Sequence, residues 1–197
     1  MSQTKHVGIL ALQGDFSNHL EKLTELGAKC LLVKNPSELS AVDALVIPGG
    51  ESSAMLKLMD EEFREALKSS IESGLPTLAT CAGVILLAKR VENPSQESLG
   101  VLDVTATRNG YGRQVDSSIV ELELSEVGKK LFSETHAEGV FIRAPVVSEI
   151  GSEVEVLSYK EKDPVLLRQN NIWAATFHPE LGERQSLVHK QFLLSGS

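Results

Sequence analysis

Short apolar runs alternate with amphipathic stretches through residues 7–91, and this alternation constrains the fold more than any other feature. Val7 to Leu12, Cys30 to Val33, Ala44 to Ile47 and Thr77 to Thr80 read as buried strands. Between them Phe16, Leu20, Leu23 and Leu26 recur at helical spacing, and Gly27 ends that run. Pro36 to Leu39 reads as a short turn or helix. Ser53 to Met59 and Phe63 to Ile71 read as helices closed by Gly74, and the spacing predicts a further helix over Val84 to Val91. Such alternation implies a parallel sheet with helices on both faces. Ligands of these sheets bind at the carboxyl ends of the strands. The turns at Gly49–Gly50 and at Cys81 both fall there.

The second half is richer in strands: Val101 to Thr107, Ser118 to Leu124, Val140 to Arg143, Val154 to Tyr159, Val165 to Arg168 and Ile172 to Phe177. Asn170–Asn171 predicts a tight turn between the last two. Leu187 to Leu194 reads as a closing helix, and Asn93 to Ser98 as a polar, mobile loop. No repeat, low-complexity tract or linker divides the chain, so residues 1–197 are expected to form a single domain.

The formal net charge is −8, which disfavours nucleic acid and anionic membranes as partners, because both need a basic surface. The polar start, Met1 to His6, gives no secretory signal, and no run is long enough to span a membrane. A cytoplasmic location is expected. In that setting the two cysteines, Cys30 and Cys81, are expected to be free, with Cys30 a small buried hydrophobe. Metal binding is not expected, because His6, His19, His136, His178 and His189 show no ligand spacing.

Three stretches carry reactive chemistry. Cys81 lies between a strand and a helix, flanked by the small residues Ala79, Ala82 and Gly83. A thiol at such an elbow meets free backbone N–H groups that favour thiolate, the nucleophilic form. The same stretch fits a buried cysteine closing a strand. His178 and Glu180 stand two apart across Pro179, so on an extended chain their side chains leave one face and the carboxylate can orient the imidazole. A surface turn capped by Glu180 is the alternative. Pro48-Gly49-Gly50-Glu51-Ser52 lets backbone N–H groups face a ligand, as an oxyanion hole needs, or forms a plain turn with Ser52 as helix cap. It lacks the lysine of a phosphate loop. Cysteine, histidine and carboxylate together suggest covalent acyl transfer. Arg108, Arg113 and Arg143 are candidates to hold a carboxylate, and each equally fits a surface ion pair.

Together these pieces resemble the class I, triad-type glutamine amidotransferases, and most closely the glutaminase subunits of pyridoxal 5'-phosphate synthase. The resemblance spans nearly the whole chain and rests on Gly8-Ile-Leu-Ala-Leu-Gln-Gly14, Pro48 to Ser52, Thr80-Cys-Ala-Gly83, Arg108-Asn-Gly-Tyr-Gly-Arg-Gln114, Phe141-Ile-Arg-Ala-Pro145 and Phe177-His-Pro-Glu-Leu181. It implies an α/β three-layer sandwich with a mixed, mostly parallel central sheet flanked by helices. It implies that Cys81 attacks the amide of L-glutamine, that His178 moves the proton and that Glu180 orients His178. Gly50, Glu51, Ser52, Arg108, Ile142 and Arg143 match glutamine-binding positions. Gly49, Gly50 and Ala82 match the oxyanion hole, and Gln13 matches a residue near it at the synthase interface. No cofactor or metal is implied. Ammonia would pass through a tunnel to a synthase subunit that makes pyridoxal 5'-phosphate, vitamin B6, and whose docking completes the hole.

The sequence departs from the family pattern at Ala79, usually Gly, and at Ser53, Gly110 and Tyr111, none of which carries a reacting group. Other readings are the glutaminase subunit of a different amidotransferase complex, a non-catalytic regulatory scaffold, and a cysteine hydrolase of similar fold.

Overall fold

The computed structural model describes residues 4–110, 118–182 and 186–195. Tyr111 and Arg113 lie outside the described residues. Strand β1 (His6–Leu10) pairs in parallel with β2 (Lys29–Val33) and with β3 (Ala44–Ile47). Next come β4 (Thr77–Thr80) and β12 (Ile172–Ala175), both still parallel. Beyond β12 the order runs β11 (Asp163–Gln169), β10 (Glu155–Lys160), β7 (Ser118–Leu124) and β8 (His136–Phe141), each antiparallel to its neighbour. The sheet is therefore mixed, as expected, and β3, β4 and β12 are buried along their whole length. Strands covered on both faces need continuous apolar runs, and these three have them but for the buried threonines of β4.

Alternation along each strand sorts the core into two layers. Leu45, Ile47 and Ala79 pack on one face with Met55 of α2 (Ser52–Leu58), Phe63 and Leu67 of α3 (Glu61–Glu72), and Val84 of α4 (Ala82–Leu87). Val46, Leu78 and Trp173 face the other way, against Leu23 of α1 (Phe16–Glu25), Phe132 of α5 (Glu126–Phe132) and Phe192 of α6 (Leu187–Ser195). Helices, sheet and helices make the expected three layers. A second sheet of β5 (Ala88–Glu92), β6 (Leu102–Thr107) and β9 (Val146–Ser148) stands beside the main one.

Several expectations change. The helix predicted over Val84 to Val91 stops at Leu87, and the chain turns extended at Ala88 (φ −56°, ψ 147°) to form β5. Apolar spacing cannot separate a short buried helix from a strand, and pairing with β6 decides it. β8 starts at His136, well before the predicted Val140, and ends at Phe141, which leaves Arg143 outside any strand at φ 46°. Helix α5 was not anticipated, although Val127 and Leu131 stand at helical spacing, and it begins where the Ser125 hydroxyl accepts the Gly128 N–H at 3.1 Å. The predicted turn at Asn170 is present, with φ 51° there. Cys30 is half-buried rather than buried, and that burial raises its thiol pKa.

Candidate active site

Cys81 follows the last residue of β4 and caps α4 with φ 47° and ψ −106°. A non-glycine residue there carries about 1–3 kcal/mol of strain that its surroundings must hold. Its N–H donates to the Ala175 carbonyl at 2.8 Å, and its carbonyl accepts the Val84 N–H at 3.1 Å. The elbow is packed against the end of β3, where a Cβ added to Gly83 would sit 2.4 Å from the Ile47 carbonyl oxygen. Gly83→Ala is therefore expected to destabilise the protein by about 1–3 kcal/mol. An unchanged urea midpoint would show that the elbow has room to move. Ala79 lies within β4 with no positive φ, so alanine fits there without backbone strain.

His178 leaves the carboxyl end of β12, the strand beside β4, and its N–H donates to the Val140 carbonyl at 2.8 Å. Adjacent parallel strands thus deliver the cysteine and the histidine side by side. The Cys81 thiol and the His178 imidazole line one pocket, and the thiol donates to the Ile142 carbonyl oxygen at 3.9 Å. His178 Nδ1 lies 2.7 Å from Glu180 Oε1, and Glu180 is buried in a short 3-10 turn, Pro179–Leu181. Burial opposes the imidazolium, but hydrogen bonds and charges from Cys81 and Glu180 outweigh it and push His178 up to about 10.

A pocket of about 150 Å³ opens on this pair, and Gly49, Gly50, Glu51, Ser52, Ala82, Arg108, Ile142 and Arg143 all line it with Cys81 and His178. Glu51, not Ser52, caps α2, accepting the Ser53 N–H at 3.3 Å. The Ser52 hydroxyl instead donates to Gln96 Oε1 at 3.1 Å and is buried. Arg108 Nη2 donates to Glu51 Oε1 at 2.8 Å. Burial opposes the Glu51 charge, yet its Ser53 hydrogen bonds and the charges of Arg108 and Arg143 hold its pKa below the usual value. A Cβ on Gly49 would lie 2.5 Å from His178 Cε1, so only glycine lets the loop approach the imidazole this closely. Gln13 and Glu180 do not line the pocket. Gln13 Oε1 accepts the Glu51 N–H at 2.7 Å and braces the loop from behind. The Gly49 carbonyl accepts the Asp15 N–H at 3.2 Å, and because that peptide is trans, the Gly50 N–H points away from the β1–α1 turn.

Residues 9–195 match the model of the SNO glutamine amidotransferase family. The chain belongs to that family. It is similar to the pyridoxal 5'-phosphate synthase subunit PdxT of Thermotoga petrophila, at 50% identity over 188 residues that cover 95% of this chain and 97% of that one. The same-named subunit of Kosmotoga olearia is 48% identical over 190 residues, covering 95% of both chains. A crystal structure of a glutamine amidotransferase superposes with a TM-score of 0.86 at 41% identity, over 96% of this chain and 98% of that one. A glutamine amidotransferase from Thermotoga maritima shares the fold at only 15% identity, with a TM-score of 0.65 over 98% of this chain and 82% of that one.

This glutamine amidotransferase also holds polar residues behind the triad-like cluster that the apolar spacing conceals. His19 on α1 and His189 on α6 are both buried, with His19 Nδ1 2.8 Å from His189 Nε2. Their signal in the sequence is a histidine on the inward face of each helix; in α1 that face runs through His19 and Leu23 rather than Leu20, which is 36% exposed. Burial, then the charges of His189 and His178, lowers the His19 pKa well below its ordinary value, and burial and Lys22 take His189 down to about 3. Below pH 6.5 the unfolded chain takes up protons that these folded sites refuse. Stability is therefore expected to fall as the pH drops from about 6.5 toward 3. In His189→Leu the loss of melting temperature between pH 7 and 4.5 should be smaller than in the wild type, and an equal loss would count against this source. Among the described residues no group of three or more His, Cys, Asp or Glu side chains is arranged to hold a metal ion, and no helix is long and apolar enough to cross a membrane.

Proposed function

We propose that this chain, as one domain spanning residues 1–197, hydrolyses L-glutamine to L-glutamate and ammonia. The ammonia passes to a synthase subunit that builds pyridoxal 5'-phosphate. The observation that carries the chemistry is a pocket lined by both Cys81 and His178, with the Glu180 carboxylate 2.7 Å from His178 Nδ1. The relatives named pyridoxal 5'-phosphate synthase subunit support the destination of the ammonia. Two free cysteines are compatible with a cytoplasmic setting, where thiols stay reduced.

Glutamine enters with opposite charges on its α-carbon, and the pocket mouth offers both signs in Glu51, Arg108 and Arg143. The Cys81 thiol passes its proton to His178, and its sulfur attacks the side-chain amide carbon, whose carbonyl electrons move onto oxygen. The N–H of Ala82 and the glycine loop at Gly49–Gly50 receive that oxyanion. As it collapses, the C–N bond breaks and His178 gives its proton to the departing ammonia. A water molecule, deprotonated by His178, then attacks the thioester and releases glutamate. Glu180 keeps the imidazole turned toward the sulfur and balances its positive charge.

One oxyanion donor is worth roughly 3–4 kcal/mol, or about 100- to 1000-fold in rate. With Gln13 and Asp15 bracing the glycine loop from the β1–α1 turn, a synthase docked at that turn has a direct lever on the hole. Ammonia release by the chain alone and with a pyridoxal 5'-phosphate synthase subunit tests this reading. A rise of about 100-fold or more on docking is expected. Equal turnover would remove partner gating, and no ammonia in either case would remove the glutaminase reading.

A further inference from the structure

The side of the triad turned away from glutamine is built on two buried histidines that the hydrolysis above leaves unused. His19 Nε2 lies 3.3 Å from Glu180 Oε2 and 3.1 Å from Thr80 Oγ1. His19 Nδ1 lies 2.8 Å from His189 Nε2, and His189 Nδ1 lies 2.7 Å from Ser186 Oγ. Glu180 Oε1 is occupied by His178, whereas Oε2 is buried and has no hydrogen-bond partner among the described residues. The His19 nitrogen is the ionisable group that faces it.

One assignment of protons satisfies every nitrogen in this row. Ser186 Oγ accepts the His189 backbone N–H at 3.3 Å, and its own proton is free to go to His189 Nδ1, 2.7 Å away. His189 then carries its proton on Nε2 and donates to His19 Nδ1. His19 in turn carries its proton on Nε2 and donates it to Thr80 Oγ1, with Glu180 Oε2 3.3 Å from the same nitrogen. The reverse order would set a nitrogen lone pair against a carboxylate oxygen. The charged and titratable groups that bear on the pair are Glu180, His178 and Lys22. His178 and Lys22 both oppose a positive charge there, so the row stays neutral and acts as fixed dipoles.

We propose that Ser186, His189 and His19 form a one-directional hydrogen-bond chain whose last N–H steadies the free oxygen of Glu180, making His19 and His189 positioning residues for proton transfer at His178. The proposal rests on the triad reading of Cys81, His178 and Glu180. A carboxylate gripped at one oxygen turns about its last bond, and a donor at the other oxygen stops that motion. It also holds the carboxylate against His178 Nδ1. Without it the carboxylate turns, and the imidazole loses the partner that orients it toward the thiol.

Alkylation of the free chain by iodoacetamide at pH 7, followed peptide by peptide with Cys30 as the internal reference, needs neither glutamine nor a synthase. Wild-type Cys81 reacting no faster than Cys30 would remove the triad reading, and this proposal with it. Given a fast wild-type Cys81, His19→Leu is expected to slow it at least fivefold. His19→Gln, which keeps an N–H at similar reach, is expected to recover most of the rate. With the synthase present, kcat should follow the same pattern while KM for glutamine stays within twofold. A wild-type rate in His19→Leu would overturn the proposal, and so would equal losses in the two variants, since the imidazole would then only fill space. Should His19→Leu fail to fold, His189→Leu is read in its place. A loss of at least threefold is expected there, and a wild-type rate overturns the proposal.

Discussion

Cys81→Ala is expected to lower glutamine hydrolysis by about 10⁴-fold or more while the protein keeps its fold and its contact with the synthase. The size follows from the way nucleophile and base act as one unit, so that removing either forfeits most of the covalent route. The backbone gives no reason for collateral damage. Alanine has the same Cβ as cysteine, so the strain at φ 47° is unchanged, and only the sulfur's own interactions, with Ile142 and with His178, disappear. Ammonia release by the complex, read beside the melting temperature and co-purification with the synthase, checks this. Retention of more than a few per cent of the rate would end the assignment of Cys81 as nucleophile.

His178→Asn is expected to cost about 10²- to 10⁴-fold in kcat/KM, the usual range for a positioned acid and base. Asparagine keeps polarity but has no proton to give to departing ammonia at this reach. The variant should also change how stability depends on pH. With its pKa raised from 6.5 to about 10, His178 contributes stability that is complete below about 6.5 and is lost as the pH rises through about 10. Melting temperatures of the wild type should decline across that alkaline window by more than those of His178→Asn. Parallel curves would mean that the imidazolium gains nothing from Cys81 and Glu180.

The parallel half of the sheet was legible because strands buried on both faces are written as unbroken apolar runs, as at Ala44–Ile47. The strand at Ala88–Glu92 was not, because its apolar residues continue the run of α4 and pairing with β6 alone distinguishes the two. The pocket was legible for a different reason. Cys81, the Gly49–Gly50 turn and His178 each follow the carboxyl end of a strand, and the sheet collects such ends at one edge. Arg143 reaches the pocket by another route, through a backbone turn at φ 46° that no spacing rule anticipates. The histidines behind Glu180 were hidden for the opposite reason: His19 and His189 lie in helices and neither follows a strand end in the sequence. Their meeting depends on how α1 and α6 share one face of the sheet.

The docking of α6 on the face of the sheet that carries α1 ties the site to a helix outside it. The pocket is lined by residues from Asp15 to Leu181, yet His189, which backs Glu180 through His19, belongs to a helix that follows all of them in the sequence. Segments of a folded protein open locally with different free energies, and a single helix can detach while the sheet stays folded. A molecule whose α6 has peeled away would keep its thiol, its imidazole and its pocket while the brace behind them is gone. Alkylation of Cys81 would then report the docking of a helix that never touches glutamine.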